Sequence, residues 1–211
     1  MLVWILIILG VVVLDQTTKI LVMNFLDREN PLVLIEGVFR FQYKENAGAA
    51  FGMFSDHRWV FMIISTLGII AMVVYLWKFK PKSKVACTAL SMIIGGGIGN
   101  MIDRCFRTDV INGVERNYVF DFIDFCAFPN LWKWTFNVAD AFVVVGAGIL
   151  MVWCVYAFIK ELKAEKLKKA QGEAVEGENV SSNENENGEP KTETNEIEES
   201  IEENIEETEE K

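Results

Sequence analysis

Two aspartates, Asp121 in VFDFI (residues 119–123) and Asp140 in FNVAD (residues 136–140), have no basic residue close by; the nearest in sequence are Arg116 and Lys133. Asp140 lies about one turn into an otherwise apolar helical run, WTFNVADAFVVVGAGIL. A carboxylate in such a run is costly unless it is paired, wetted or at work. When two carboxylates meet in a low dielectric they cannot both ionise readily, so one keeps a proton and the pair titrates as a unit. The ionised member activates a water, and the protonated member donates a hydrogen bond to a carbonyl oxygen. This is the arrangement of an aspartic protease. Spacing alone leaves a structural role for the two aspartates open.

The other polar residues in apolar surroundings fall near one level. A helix starting at Leu2 brings Asp15 about 20 Å along its axis, with Lys19 four positions later on the same face. Asn100, Asp103 and Arg104 close the third apolar run, Asn137 precedes Asp140, and Asn46 lies in ENAGAAF (residues 45–51). Each has a packing alternative. Asp15–Lys19 and Asp103–Arg104 could be pairs that fix helices, and Asn46, Asn100 and Asn137 could be caps or interhelical hydrogen bonds. GGGIG (residues 95–99) lies inside a span and does not match GxGxxG, so it is read as close helix contact through small residues.

The elements that must position these residues are four membrane-spanning helices, expected at about residues 2–25, 59–77, 85–103 and 137–159. The first run lacks a basic n-region and a small-residue cleavage site, so it is expected to be a retained helix. Half the chain is hydrophobic, yet its formal charge is −10. Residues 171–211 hold 16 Glu and two Lys, a net of −14, which leaves +4 for residues 1–170. Residues 166–211 are expected to be an acidic, disordered cytoplasmic tail, and residues 1–165 a four-helix membrane domain. Lysines crowd KFKPKSK (residues 78–84) and KELKAEKLKK (residues 160–169), which places both connections, and both chain ends, in the cytoplasm. The two other connections then face outward. Alternation over Val38–Lys44, and the β-branched and aromatic run NYVFDFIDF (residues 117–125), predict small β elements there. The fold class is therefore mainly α and integral to the membrane.

Taken together, DQTTK (15–19), ENAGAAF (45–51), GGGIGNMIDR (95–104), VFDFI (119–123) and FNVAD (136–140) resemble the bacterial lipoprotein signal peptidases, or signal peptidase II, over about residues 5–160. The resemblance implies a four-helix membrane aspartic endopeptidase with Asp121 and Asp140 catalytic. Asp15, Lys19, Asn46, Gly48, Asn100, Asp103, Arg104 and Asn137 would be substrate-binding or supporting residues. It further implies cleavage of prolipoprotein signal peptides just before a diacylglyceryl-modified cysteine, at the outer face of the cytoplasmic membrane. The partners expected are prolipoproteins and membrane lipids, with no nucleic acid; the protein is expected to act as a monomer, without metal or cofactor. Asp124 lacks the V-x-D context and is expected to have a solvent or loop role.

Other classes fit less well. A transporter would spread its polar residues through the midplane. A phosphatase or lipid transferase would want several Arg and His for phosphate, and the one histidine, His57, is outside the motifs. Ser55, Ser65 and Ser91 have no G-x-S-x-G context for a serine protease. Cys87, Cys105, Cys126 and Cys154 lack the paired spacing of a zinc site. Whether Cys105 and Cys126 pair is left open by the sequence.

Overall fold

A computed structural model of the protein describes residues 1–47, 58–111, 113–128 and 134–181. The elements run α1 (Leu2–Phe25), β1 (Leu32–Ile35), β2 (Phe39–Asn46), α2 (Arg58–Phe79), α3 (Lys84–Phe106), β3 (Thr108–Ile111), β4 (Val114–Asn117), β5 (Val119–Phe125), β6 (Thr135–Phe136) and α4 (Val138–Ser181). Four helices are long and apolar enough to cross a membrane, as the sequence pattern requires. Their outer faces present bare aliphatic side chains, among them Leu6, Leu9, Ile64, Leu67, Val144 and Val152. In water such a surface would be untenable; hydrocarbon covers it at no cost.

The core lies along α3, whose glycines let three other helices approach. A side chain at Gly95 would meet Val11 of α1, with its Cβ 2.7 Å away, and one at Gly97 would lie 2.9 Å from Ile69 of α2. A Cβ at Gly96 would collide with the Ala139 carbonyl oxygen at the start of α4, and from the α4 side one at Gly146 would lie 2.8 Å from the Ala89 carbonyl oxygen of α3. The run GGGIG thus acts as a contact stripe, with Gly95 and Gly99 against α1, Gly96 against α4 and Gly97 against α2. Leu76, Cys87, Leu90 and Ile94 fill one end of the bundle, with Trp4, Ile8 and Leu150 against them.

Beyond the other end sits an antiparallel sheet of order β1-β2-β5-β6. The expected strands over Val38–Lys44 and Asn117–Phe125 correspond to β2 and β5. A bulge between Phe41 and Lys44 sets their register, so that Lys44 faces Asp121 and Arg40 faces Asp124. Tyr118, just before β5, and Phe120 and Phe122 within it pack down onto Val22, Met23 and Val138, which ties the sheet to the ends of α1 and α4. The β3–β4 hairpin follows α3, with Gly113 in the left-handed conformation at its turn, φ 76°.

The boundary expected between residues 165 and 166 falls inside a helix, because α4 continues to Ser181. The reason lies in composition: residues 160–174 are dominated by Lys, Glu, Ala and Leu, all strong helix formers. The remainder of the expected disordered tail, residues 182–211, lies outside the described residues. So do Gly48, His57 and Lys133. The described cysteines are free thiols, so Cys105 and Cys126 do not pair.

Candidate active site

Asn137 caps the start of α4 and joins the two aspartates. Its Oδ1 accepts the Asp140 backbone N–H at 3.0 Å, while Asp140 Oδ2 accepts the Asn137 backbone N–H at 3.2 Å, a reciprocal capping box. Its Nδ2 donates to Asp121 Oδ1 at 2.7 Å and to Asn100 Oδ1 at 3.0 Å. One side chain therefore caps the helix that carries Asp140 and grips the carboxylate of Asp121 on β5. Asp121 Oδ2 accepts from Asn46 Nδ2 at 2.9 Å, and Asp140 Oδ1 from Asn100 Nδ2 at 2.6 Å. Each carboxylate oxygen of the pair thus receives an N–H, and three asparagines supply all four donors, three from side-chain amides and one from the Asn137 backbone.

The Asn100 amide has a fixed sense. Its oxygen receives two donors, Lys19 Nζ at 3.1 Å and Asn137 Nδ2, and its nitrogen faces an acceptor, Asp140. Turning the amide over would set nitrogen against donors and oxygen against a carboxylate. Burial, and then the nearby charge of Asp140, push the Asp121 carboxyl up to about 7. Asp121 is therefore suited to hold a proton at neutral pH.

Behind the pair lies a buried ion cluster. Lys19 Nζ is 2.9 Å from both Asp15 Oδ2 and Asp103 Oδ2, and none of the three side chains has solvent exposure. Breaking such a buried pair by removing one partner costs about 3–5 kcal/mol. Asp103 does not pair with Arg104, the packing alternative considered from sequence. Consecutive helix positions point about 100° apart. Asp103 accordingly turns to Lys19 and to Arg107 Nε at 2.8 Å. Arg104 turns the other way, where its strongest electrostatic partners are Asp140 and then Asp121.

Asp124 corrects a second expectation. It is neither solvated nor in a loop: it is buried in β5, 2.6 Å from Arg40 Nε on the facing strand. Asp121 and Asp124 are an odd number of residues apart, so a strand sends them to opposite faces. Asp124→Asn keeps an oxygen toward Arg40, and activity at the site is expected to stay within about threefold of the parent.

Of the residues singled out from sequence, the structure brings Asp15, Lys19, Asn46, Asn100, Asp103, Arg104, Asp121, Asn137 and Asp140 to one end of the bundle. Gln16 and Arg107 were missed. Gln16 Nε2 lies 3.1 Å from Asp15 Oδ2, Asp103 Oδ1 and the Gly99 carbonyl oxygen. An amide inside an apolar span was a visible signal for Gln16; Arg107 caps α3 outside any motif and gave none.

Four apolar helices with a small sheet over one end, and two buried carboxylates joined through Asn137, have the make-up of a membrane-embedded hydrolase. The family model for signal peptidase (SPase) II matches residues 7–156. The lipoprotein signal peptidase of Halalkalibacterium halodurans is 36% identical over 166 residues, which cover 79% of this chain and 96% of that protein. That of Clostridioides difficile is 35% identical over 161 residues, 76% of this chain and 98% of its own. That of Caldanaerobacter subterraneus is 41% identical over 140 residues, 66% and 87% respectively. Two solved structures described as bacterial membrane enzymes superpose with TM-scores of 0.62 and 0.60 at 28% identity. They cover 73% and 72% of this chain, and 88% and 92% of theirs. The chain belongs to the signal peptidase II family; it is a protease and a multi-pass bacterial membrane protein.

Proposed function

We propose that the protein removes the signal peptide from prolipoproteins by aspartic endopeptidase chemistry, with Asp121 and Asp140 as the catalytic residues. The observation that carries this is the grip of one residue, Asn137, on both carboxylates. The substrate would carry a diacylglyceryl group on cysteine, and the scissile bond would lie just before that cysteine. Its acyl chains stay in the outer leaflet and its signal helix stays in the bilayer, so the bond between them meets the enzyme at the outer membrane boundary. The lysine-rich connections at 78–84 and 160–169 favour the cytoplasm, which leaves the sheet and the carboxylate pair outside.

In the reaction, Asp140 takes a proton from water as the water oxygen attacks the scissile carbonyl carbon. Asp121 gives its proton to the carbonyl oxygen, and a neutral tetrahedral diol forms. On collapse, Asp140 passes its proton to the departing amine nitrogen of the cysteine and Asp121 recovers a proton from the diol. The pair ends as it began. The asparagine amides hold both carboxylates in position throughout, so little reorganisation accompanies the proton transfers. No step calls on a metal or cofactor, and the enzyme would act as a monomer among membrane lipids.

Purified protein incubated with a diacylglyceryl precursor, beside the same precursor without lipid, tests the assignment. Cleavage confined to the lipidated form, with the product beginning at the modified cysteine, is expected; equal cleavage of both forms would contradict it. The same assay gives the pH dependence. Asp121 must be protonated to donate, and its carboxyl is held up to about 7, so kcat/KM is expected to fall as pH rises through that value. A profile flat from 6 to 9 would be inconsistent with a shared proton.

A further inference from the structure

Asp15, Lys19 and Asp103 have no solvent-exposed side-chain surface, so they have nothing to offer a substrate directly. What they hold is backbone. Asp15 Oδ1 accepts the Ala139 N–H at 2.9 Å, and Ala139 immediately precedes Asp140. Asp103 Oδ2 accepts the Phe120 N–H at 3.2 Å, and Phe120 immediately precedes Asp121. One carboxylate of the buried cluster thus fastens the main chain next to each member of the catalytic pair. The two carboxylates are joined through a single ammonium, whose three N–H bonds go to Asp15, Asp103 and the Asn100 oxygen. Gln16 lies across the same two carboxylates, and Arg107 brings a second positive charge to Asp103. The cluster of Asp15, Asp103, Lys19 and Arg107 is therefore neutral overall.

We infer that Lys19, acting through the Asp15 and Asp103 clamps, is the positioning residue that sets the separation of Asp121 and Asp140 and the electrostatic balance between them. The inference rests on the catalytic reading of that pair. The structure gives α1 no hydrogen bond to either aspartate, yet through these clamps it governs both. The clamp also explains why a lysine suits this place in an apolar helix: an uncharged side chain would leave two carboxylates facing each other with no cation between them.

The cluster has two kinds of charge, and removing them pulls in opposite directions. Lys19 favours the ionised form of Asp121, so Lys19→Met should make Asp121 hold its proton to higher pH. Asp15→Asn keeps an oxygen for the Ala139 N–H but removes a negative charge, so Asp121 should lose its proton at lower pH. The experiment is the kcat/KM pH profile of the full-length parent, Lys19→Met, Asp15→Asn and Asp103→Asn on a diacylglyceryl precursor. Lys19→Met is expected to lower kcat about 100-fold with KM within about twofold, as displacement of a reacting group does. Its alkaline limb should move up, and the limbs of both Asn variants should move down. Should Lys19→Met fail to fold, the two Asn variants carry the test. A rise in KM at unchanged kcat would assign these residues to substrate contact, and limbs that stay put or shift together would make their role merely structural. Failure of both Asn variants to fold would assign the cluster to folding. Each of these overturns the inference alone, provided the parent cleaves; a parent that does not cleave the precursor overturns the function proposed above.

Discussion

Asp121→Asn is expected to lower kcat/KM on a lipidated precursor by roughly 10⁴-fold while the protein still inserts and unfolds cooperatively. The amide cannot hand a proton to the carbonyl oxygen, yet it occupies the same volume between Asn46 and Asn137. Asp140→Asn should be equally inactive for a different reason, since an amide cannot take a proton from the attacking water. Its fold should survive too, because an amide oxygen can still accept the Asn137 backbone N–H. The two residues act as one unit, so the double variant should be no worse than either single one. Turnover measured alongside thermal unfolding checks all three. A folded Asp121→Asn protein with near-parental turnover would remove Asp121 from the chemistry.

The second large effect is expected at a residue that touches no substrate. A methyl group at Gly96 would collide with the Ala139 carbonyl oxygen and lie 2.8 Å from a methyl of Val143. The obstruction is mostly backbone, so the first turn of α4 must move away from α3. That turn carries Asp140 and is capped by Asn137, while Asn100, which holds Asp140 from α3, stays behind. Gly96→Ala should therefore cost about 1–3 kcal/mol of stability from overpacking and at least about 100-fold in kcat from misplacement. Gly148→Ala, on α4 with open space around its Cβ, is the control and should be close to parental. Equal behaviour of the two variants would mean that the glycine contact does not position the pair.

Long apolar runs made the four helices legible, because hydrocarbon thickness leaves little choice of length or type. The two strands that carry site residues were legible from alternation and β-branched content. The rest of the sheet was harder. β1, Leu32–Ile35, is a short all-apolar run without a period, and β6 is two residues long. The β3–β4 hairpin did leave a signal, the Asn112-Gly113 dipeptide between apolar residues, although Asn112 itself lies outside the described residues. The polar residues gathered at one level because intramembrane charge is expensive, and the family motifs then named the pair. Their partners were less readable. Asp103 adjoins Arg104 in sequence, but helix geometry separates consecutive side chains, and the cations it meets are Arg107 one turn on and Lys19 of α1, 84 positions earlier. Asp124 lies outside the V-x-D motif, and strand parity sends it to Arg40 on the other face of the sheet. Such pairings depend on register, and here a bulge in β2 sets the register.

The central claim is that the two carboxylates share one proton, held mainly by Asp121. Infrared difference spectroscopy of the protein in lipid, titrated across neutral pH, reads protonated carboxyl groups directly. One protonated-carboxyl band that fades as pH rises through about 7, is missing in Asp121→Asn and is displaced in Asp140→Asn, is the expected result. A band that neither substitution alters, or no titrating carboxyl in that range, would contradict it.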